Sequence, residues 1–141
     1  ESRAAIDDLR SAASDAAASV RERVERFTQA TGIPCQMEIL VSENPLSPET
    51  TNHALNILSE SLENIARHAQ ASQVWVVFAV RGQGLDLEVR DNGRGFDVDQ
   101  NADGHYGLIG MRERARLTGG TLTIESGADG TCVRFVIGRP Q

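Results

Sequence analysis

Residues 85–96 read Leu-Asp-Leu-Glu-Val-Arg-Asp-Asn-Gly-Arg-Gly-Phe, an alternating apolar and polar run that ends in a glycine-rich turn. The alternation predicts a strand with one buried face, and it places the carboxylate of Asp91 at the end of that strand. Gly93 and Gly95 follow, and glycine lets the backbone approach another group closely. The motif alone also fits an ordinary loop, because Asn-Gly and Arg-Gly pairs are common in turns.

The segments around this strand predict two kinds of element. Apolar residues at three- and four-residue steps indicate helices, and short apolar or alternating runs bounded by glycine indicate strands. Helices are expected over 1–31, 48–69 and 108–117, and strands over 35–41, 74–80, 85–90, 121–126 and 131–137. The spacing leaves open whether 1–31 is one helix or two helices that meet near residues 11–15.

This order of elements predicts an α+β fold, a two-layer sandwich in which helices cover one face of a mixed, mostly antiparallel sheet. Ser47 is expected to cap the second helix, with Pro48 at its first position. The strand 74–80 is nearly all apolar, so we expect burial on both of its faces. Gly119 is expected to stop the third helix.

The composition narrows the class of protein. A chain of 141 residues predicts one domain, and a formal charge of −6 argues against a nucleic-acid partner. The sequence has no run of eighteen apolar residues, so no membrane span is predicted, and it shows no secretory signal. The chain starts at Glu1 inside a helical pattern, which predicts a fragment of a longer protein. Cys35 and Cys132 lack metal-type spacing and are expected to be buried thiols in a reducing compartment.

A polar stripe accompanies the apolar stripe of the second helix. Asn56, Glu60, Asn64 and His68 are spaced by four residues, so a regular helix would align them. An ordinary solvated face is the alternative, although such faces are usually filled with Lys, Glu and Arg. The Asn64 oxygen is a suitable ligand for Mg²⁺, and Arg67 could lie on a phosphate.

Two further glycine segments are candidates for ligand contact. Residues 104–111 contain three glycines and lead into a helix, where exposed N–H groups and the helix dipole favour phosphate. A flexible loop before an ordinary helix start explains the same residues equally well. Gly130 and Thr131 open the final strand, and Thr131 could contact a ligand only if it lies beside Asp91.

Together, four segments resemble the asparagine box, two glycine boxes and terminal Gly-Thr box of the GHKL ATPases. These segments are residues 60–69, 91–96, 107–114 and 130–131. The superfamily includes gyrase, the heat-shock chaperone, histidine kinases and the mismatch-repair MutL proteins, and its ATP-binding domain has the Bergerat fold. The endings Asn-x-x-Arg-His-Ala and Gly-Leu-x-Gly-Met-Arg-Glu-Arg are similar to sensor histidine kinases that serve NarL/LuxR-type response regulators. The resemblance covers about residues 17–141.

The resemblance implies how the base of ATP would be held. Asp91 would accept a hydrogen bond from the adenine amino group, with Thr131 helping through a water molecule. Gly93 and Gly95 would let the loop approach the base, and His68 would line the adenine or ribose side.

It also implies how the phosphates would be held. Asn64 would be the Mg²⁺ ligand and Arg67 would contact phosphate. Gly107, Leu108 and Gly110 would end a short lid, between residues 96 and 107, over the phosphates. Glu60 stands where these ATPases keep a carboxylate that activates water, so it is the candidate catalytic residue, as a polarising group or general base.

The chain departs from these kinases because none of its three histidines has the setting of a phosphoacceptor. Residues 1–16 look like the C-terminal remnant of the dimerisation and phosphoacceptor helix, and 17–141 like the catalytic domain. The implied partners are that histidine domain of the same parent kinase and a NarL/LuxR-type response regulator. A cytoplasmic location without membrane contact is expected, although the parent can be membrane-anchored. The alternatives are a serine kinase similar to anti-sigma factors and a nucleotide-binding regulatory module without catalysis.

Overall fold

The computed structural model describes residues 2–42, 46–98 and 107–138. The described elements alternate helices with short strands in the expected order. They are α1 (Ser2–Thr31), β1 (Cys35–Val41), α2 (Pro48–Asn64), a π-helical turn (Ile65–Ala69, the π turn), β2 (Val74–Arg81), β3 (Gly84–Asp91), α3 (Leu108–Thr118), β4 (Thr121–Gly127) and β5 (Gly130–Ile137). Since α1 is one continuous helix, the open question about a break near residues 11–15 is answered.

The five strands form one sheet in the order β1-β2-β3-β5-β4. β1 runs parallel to β2, and the other neighbouring pairs are antiparallel. The predicted α+β fold with a mixed, mostly antiparallel sheet is therefore confirmed. The antiparallel pairing between β3 and β5, which are not consecutive in the chain, sets Asp91 opposite Thr131.

The core lies between the helices and one face of the sheet. It contains apolar side chains from α1, α2 and α3 together with alternate residues of the central strands. The largest fully buried members are Phe78, Phe135, Ile57, Leu58, Leu87, Leu108 and Met111. Burying one such side chain contributes roughly 1.5–3 kcal/mol, so this layer supplies the main driving force for folding.

The expectation that β2 is buried on both faces is wrong. Val74, Val76, Phe78 and Val80 are buried, whereas the residues between them are only half-buried. In the described part of the chain, the helices pack on one face of the sheet, so the outer face stays open. There the Arg90 guanidinium covers the Trp75 ring, 4.9 Å from its centroid, which explains how an apolar outer residue is accommodated.

The helix ends follow the capping signals. The Ser47 Oγ accepts a hydrogen bond from the Thr50 N–H at 3.1 Å, and Pro48 begins α2. Gly119 ends α3 in the left-handed region, with φ 76°. The expected regular helix through residue 69 differs, because α2 ends at Asn64 and the chain continues into the π turn and then Gln70, with φ 53°.

The two cysteines are half-buried, so the expectation of buried thiols is wrong. Cys35 begins the edge strand β1, and Cys132 lies on the open face with its Sγ 3.7 Å from Glu88 Oε2. Partial burial is the first cause that raises the pKa of each thiol to about 11. Over residues 2–42, 46–98 and 107–138, no helix is both long and apolar enough to cross a bilayer.

Candidate functional site

A cavity opens where the end of α2 and the π turn lie over the end of β3 and the start of β5. Its walls combine apolar side chains with a few polar groups, which is typical of small-molecule sites. The lining residues are Ser61, Asn64, Ile65, His68, Val89, Asp91, Gly95, Phe96, Thr131 and Val133. Thus Asn64, His68, Asp91, Gly95 and Thr131, all expected at a nucleotide site, are brought together here.

Asp91 is the buried charged group of this cavity, with 3% of its surface exposed. Its Oδ1 accepts a hydrogen bond from the Gly93 N–H at 2.7 Å, and the Thr131 backbone also donates to it. Burial raises the pKa of the carboxyl, and these two hydrogen bonds offset part of that shift. Stability gained by protonating Asp91 is present below the ordinary pKa and is lost as the pH rises through the raised one. The ionised form is therefore the costly one in the free chain.

Thr131 lies beside Asp91, so the condition set for its contact with a ligand is met. Its hydroxyl is 2.6 Å from the Ser126 Oγ, which in turn accepts a hydrogen bond from the Phe96 N–H at 2.7 Å. Gly130 is required next to it, because a Cβ there would lie 2.0 Å from the Asp91 carbonyl oxygen. Ser126 thus joins two strands and the glycine loop, a role that its sequence position does not signal.

Hydrogen bonds join the glycine loop after β3 to the π turn and to the chain that follows it. The Asn92 Oδ1 accepts hydrogen bonds from the Ser72 and Gln73 N–H groups at 2.9 and 3.1 Å. The Arg94 Nε donates to the carbonyl oxygen of His68 at 2.8 Å. Asn92 and Arg94 therefore hold the two walls of the cavity together. Both belong to the motif of residues 91–96, but no local pattern links them to partners about twenty residues away.

The polar stripe of α2 divides along its length. Asn64 is 9% exposed and lines the cavity, as does the half-buried His68. Asn56 lies away from it and donates through Nδ2 to the Asn52 carbonyl oxygen at 2.9 Å. Only the second half of the stripe therefore faces the cavity.

Glu60 is a residue of α2 whose side chain lies against the start of α3, outside the cavity lining. A Cβ built on Gly107 would come within 2.3 Å of its Oε2, so the two residues are in direct contact. Burial, and next the charge of Glu63, raise the pKa of Glu60, while Arg67 and Arg114 lower it. A carboxyl with a raised pKa beside a cavity is a common feature of functional sites.

The remaining expected site residues are distributed as follows. Arg67 does not line the cavity: it pairs with Glu63, and its side chain is 61% exposed. Gly107 precedes α3 with φ 67°, and Leu108 is fully buried in the core. Gly110 faces open space, since a Cβ there would meet no atom within 4 Å. The lid and residues 104–106 of the expected phosphate cradle fall largely on residues 99–106, which lie outside the described residues.

Replacing Gly110 with alanine should separate a ligand role from a structural one. Alanine is the better helix former, so we expect a gain in unfolding free energy of about 0.5 kcal/mol. If phosphates approach this backbone, the methyl group should weaken ATP binding on the order of tenfold, through overpacking of about 1–3 kcal/mol. Thermal unfolding and calorimetric titration of the same variant measure both effects. Stabilisation with unchanged ATP affinity would remove Gly110 from the site.

The geometry agrees with the comparisons with known proteins. Residues 49–141 match the family described as "Histidine kinase-, DNA gyrase B-, and HSP90-like ATPase". The chain belongs to this ATPase family, and the predicted GHKL-type ATP-binding catalytic domain is confirmed.

Individual relatives make the similarity more specific, because they include a sensor histidine kinase. The chain is 35% identical over 114 residues to "Sensor histidine kinase YdfH" of Bacillus subtilis (strain 168), which is 76% of this chain and 28% of the relative. It is 32% identical over 117 residues to "Nitrate/nitrite sensor protein NarQ" of Escherichia coli (strain K12), 82% of this chain and 21% of that protein. The chain thus spans between a fifth and a third of such relatives.

A solved structure supports the same fold. The blue-light activated histidine kinase of Erythrobacter litoralis EL346 superposes with a TM-score of 0.65 at 26% identity, covering 81% of this chain and 40% of that one. The predicted resemblance to histidine kinase catalytic domains is confirmed at the level of sequence and fold.

Proposed function

We propose that this chain binds ATP with Mg²⁺ and transfers the γ-phosphoryl group to a histidine on another domain of its parent kinase. A NarL/LuxR-type response regulator would then receive the phosphoryl group, in the cytoplasm. The observation that carries the proposal is the buried Asp91 carboxylate on the cavity wall, fixed by the Gly93 and Thr131 backbones. Division into a phosphoacceptor remnant, 1–16, and a catalytic domain, 17–141, is part of this proposal.

The residues present fit the adenine part of ATP. Asp91 is an acceptor for an exocyclic amino group, and the apolar side chains of Ile65, Val89 and Val133 suit a flat ring. Burial makes the ionised Asp91 carboxylate costly, and an amino donor would offset part of that cost. Besides its contact with Ser126, the Thr131 hydroxyl can make a further hydrogen bond, which suits a bridging water.

The residues also fit Mg²⁺ and the phosphates. Asn64 offers an amide oxygen in the cavity wall, and Mg²⁺ prefers oxygen ligands shared with phosphate and water. The first N–H groups of α3 lack partners within the helix, since the helical bonding starts with Met111 donating to Gly107. Bound Mg²⁺ would neutralise the charge that develops on the phosphoryl oxygens.

The work left to the protein is positioning and proton handling. Asp91 and the glycine loop would fix the base, and Asn64 would orient the phosphates relative to Glu60. Glu60, ionised, would polarise the attacking histidine or take its proton as the phosphoryl group is transferred. Arg67 could contact phosphate only after leaving Glu63, with which it pairs on the outer surface.

The proposal is tested in two steps. First, titration with a non-hydrolysable ATP analogue should give binding that tightens with Mg²⁺. Second, a separately produced two-helix histidine domain of the parent protein should become phosphorylated from ATP when this chain is added. No nucleotide binding by the folded chain would favour a regulatory module, and phosphorylation of a serine protein instead would favour the alternative kinase class.

Asn64→Ala tests the metal role directly. We expect ATP affinity in this variant to lose its dependence on Mg²⁺, because the side chain would no longer offer the metal an oxygen. The measurement is the analogue titration at several Mg²⁺ concentrations, with Asn56→Ala as the matched control on the same helix. If Mg²⁺ still tightened binding in Asn64→Ala as in the wild type, the Asn64 oxygen would not be a metal ligand.

A further inference from the structure

A row of polar side chains crosses three neighbouring strands at the cavity. The strand register pairs Asp91 of β3 with Thr131 of β5, and Thr131 in turn with Ser126 of β4. Directly paired residues of antiparallel strands carry their side chains on the same face of the sheet. Asp91 and Thr131 line the cavity, so Ser126, on the edge strand β4, continues this polar row beyond the cavity wall.

The Ser126 hydroxyl makes two hydrogen-bond contacts within the described part of the chain. Its Oγ accepts from the Phe96 N–H at 2.7 Å and lies 2.6 Å from the Thr131 Oγ1. A backbone N–H can only donate, so the first contact has a fixed direction. A Cβ on Gly95 would lie 2.1 Å from the Gly127 carbonyl oxygen, so the glycine loop packs closely against the end of β4. This close approach holds the Phe96 N–H against Ser126.

The direction of the second contact follows from the first. A serine hydroxyl has one proton to donate and accepts through its oxygen lone pairs. If Ser126 donates to Thr131, both its donor and its acceptor capacity are used. The opposite direction would leave the Ser126 proton without an acceptor among residues 2–42, 46–98 and 107–138, and an unmade hydrogen bond costs free energy. Hydrogen bonds aligned in one chain also strengthen one another, which favours the same direction.

The consequence of this direction falls on Thr131. Once its Oγ1 accepts from Ser126, its own proton can be donated to a ligand, and Thr131 lines the cavity with 9% of its surface exposed. The cavity wall thus presents an acceptor, the Asp91 carboxylate, beside a donor, the Thr131 hydroxyl. Adenine carries the complementary pair, a donor amino group next to the acceptor nitrogen N1. Guanine carries the opposite pair, an acceptor carbonyl oxygen next to an N1–H donor.

We infer that Ser126 is a positioning residue that directs the Thr131 hydroxyl proton into the cavity and so favours adenine over guanine. The inference rests on the proposed function, because the donor has a purpose only if a nucleotide base occupies the cavity. None of the four segments that resemble the ATPase boxes contains Ser126. Ser126 would not touch the base: it acts through Thr131, whose proton reaches N1 directly or through one water molecule.

The test compares ATP with 1-deaza-ATP, in which a C–H group replaces the acceptor nitrogen N1. The wild type should bind ATP about threefold to tenfold more tightly, the worth of one net hydrogen bond. Ser126→Ala should lose most of this preference, because the Thr131 proton is no longer oriented. Ser126→Thr keeps a hydroxyl and should restore the preference. Ser126→Val, which has the shape of the threonine variant without its hydroxyl, replaces Ser126→Ala if that variant fails to fold.

Two controls separate the direction of the hydrogen bond from packing. Thr123→Ala removes an exposed hydroxyl from the same strand and should leave the preference at the wild-type value. In a Thr131→Val background, which lacks the oriented hydroxyl, adding Ser126→Ala should change the preference no further. A loosened loop alone would weaken both nucleotides equally, so a wild-type preference in Ser126→Ala would overturn the inference.

The contact with the loop is measured without nucleotide. Amide hydrogen exchange at Phe96 should be faster in Ser126→Ala than in the wild type, because the acceptor is lost, and Ser126→Thr should slow it again. An unchanged exchange rate in Ser126→Ala would also overturn the inference. A wild type that binds ATP and 1-deaza-ATP equally would reject the inference and keep the proposed ATP binding. A folded chain that binds neither nucleotide would reject the proposed function and, with it, the selectivity.

Discussion

Glu60→Gln should reduce phosphotransfer by about 10²–10⁴-fold, the usual contribution of a positioned general base. Glutamine keeps the shape of the side chain but cannot take a proton. ATP affinity should be unchanged, because Glu60 lies beyond the cavity that holds Asp91 and Asn64. The measurement is single-turnover transfer from saturating ATP to the histidine domain, with analogue titration alongside. In the wild type the rate should fall as the pH drops through the raised pKa of Glu60, since only the ionised form is a base.

Glu63→Gln is the matched control, because Glu63 is on the same helix and its side chain is 46% exposed. It should transfer phosphate at nearly the wild-type rate. An equal loss of rate in both variants would point to the general charge of this helix face. Full activity in Glu60→Gln would show that the reaction needs no base at this position.

Asp91→Asn should weaken ATP binding by about 1.5–3 kcal/mol, roughly 10–150-fold, because the adenine amino group would lose a charged acceptor. GTP offers a carbonyl oxygen where ATP has the amino group, and the asparagine amide can donate to it. The preference for ATP over GTP should therefore shrink. Competition titrations of both nucleotides against the ATP analogue measure this change.

Asp129→Asn is the control for Asp91→Asn, since it removes an exposed aspartate from the nearby β4–β5 turn. Its nucleotide affinities should match the wild type. The Asp91 variant should remain folded, as burial makes the ionised carboxylate costly in the free chain. A folded Asp91→Asn chain with unchanged ATP affinity would place the adenine elsewhere.

Much of the fold follows from local patterns. The alternation in 85–90, the cap at Ser47 and the stop at Gly119 are encoded within a few residues, and each agrees with the structure. The burial of β2 does not follow from its local sequence. Its apolar outer residues are half-exposed because the described helices pack on the other face. Composition cannot tell an apolar strand between two layers from one whose outer face is shielded by a neighbouring arginine.

The site residues that belong to a recognised motif could be predicted from the sequence. The resemblance named Asp91, Asn64 and Thr131, and the sheet register brings the first and last together. Ser126, Asn92 and Arg94 act through hydrogen bonds to distant backbone groups, and these depend on tertiary structure. Arg67 illustrates the opposite case. Its position three residues after Asn64 suggested contact with a phosphate, but helical spacing also allows an exposed ion pair with Glu63, and the structure shows that pair.

The π turn has a consequence for comparing this chain with others. A π turn closes i→i+5 bonds, one residue more than an α turn, so residues 65–69 amount to a one-residue insertion in a helix. If the same residues closed a regular α turn instead, everything after them would be rotated by about 100°, turning His68 from the cavity and its carbonyl from Arg94. An alignment with a relative whose helix ends regularly should therefore place its gap within 65–69. A gap after Gln70 would match His68 to a residue of a different orientation.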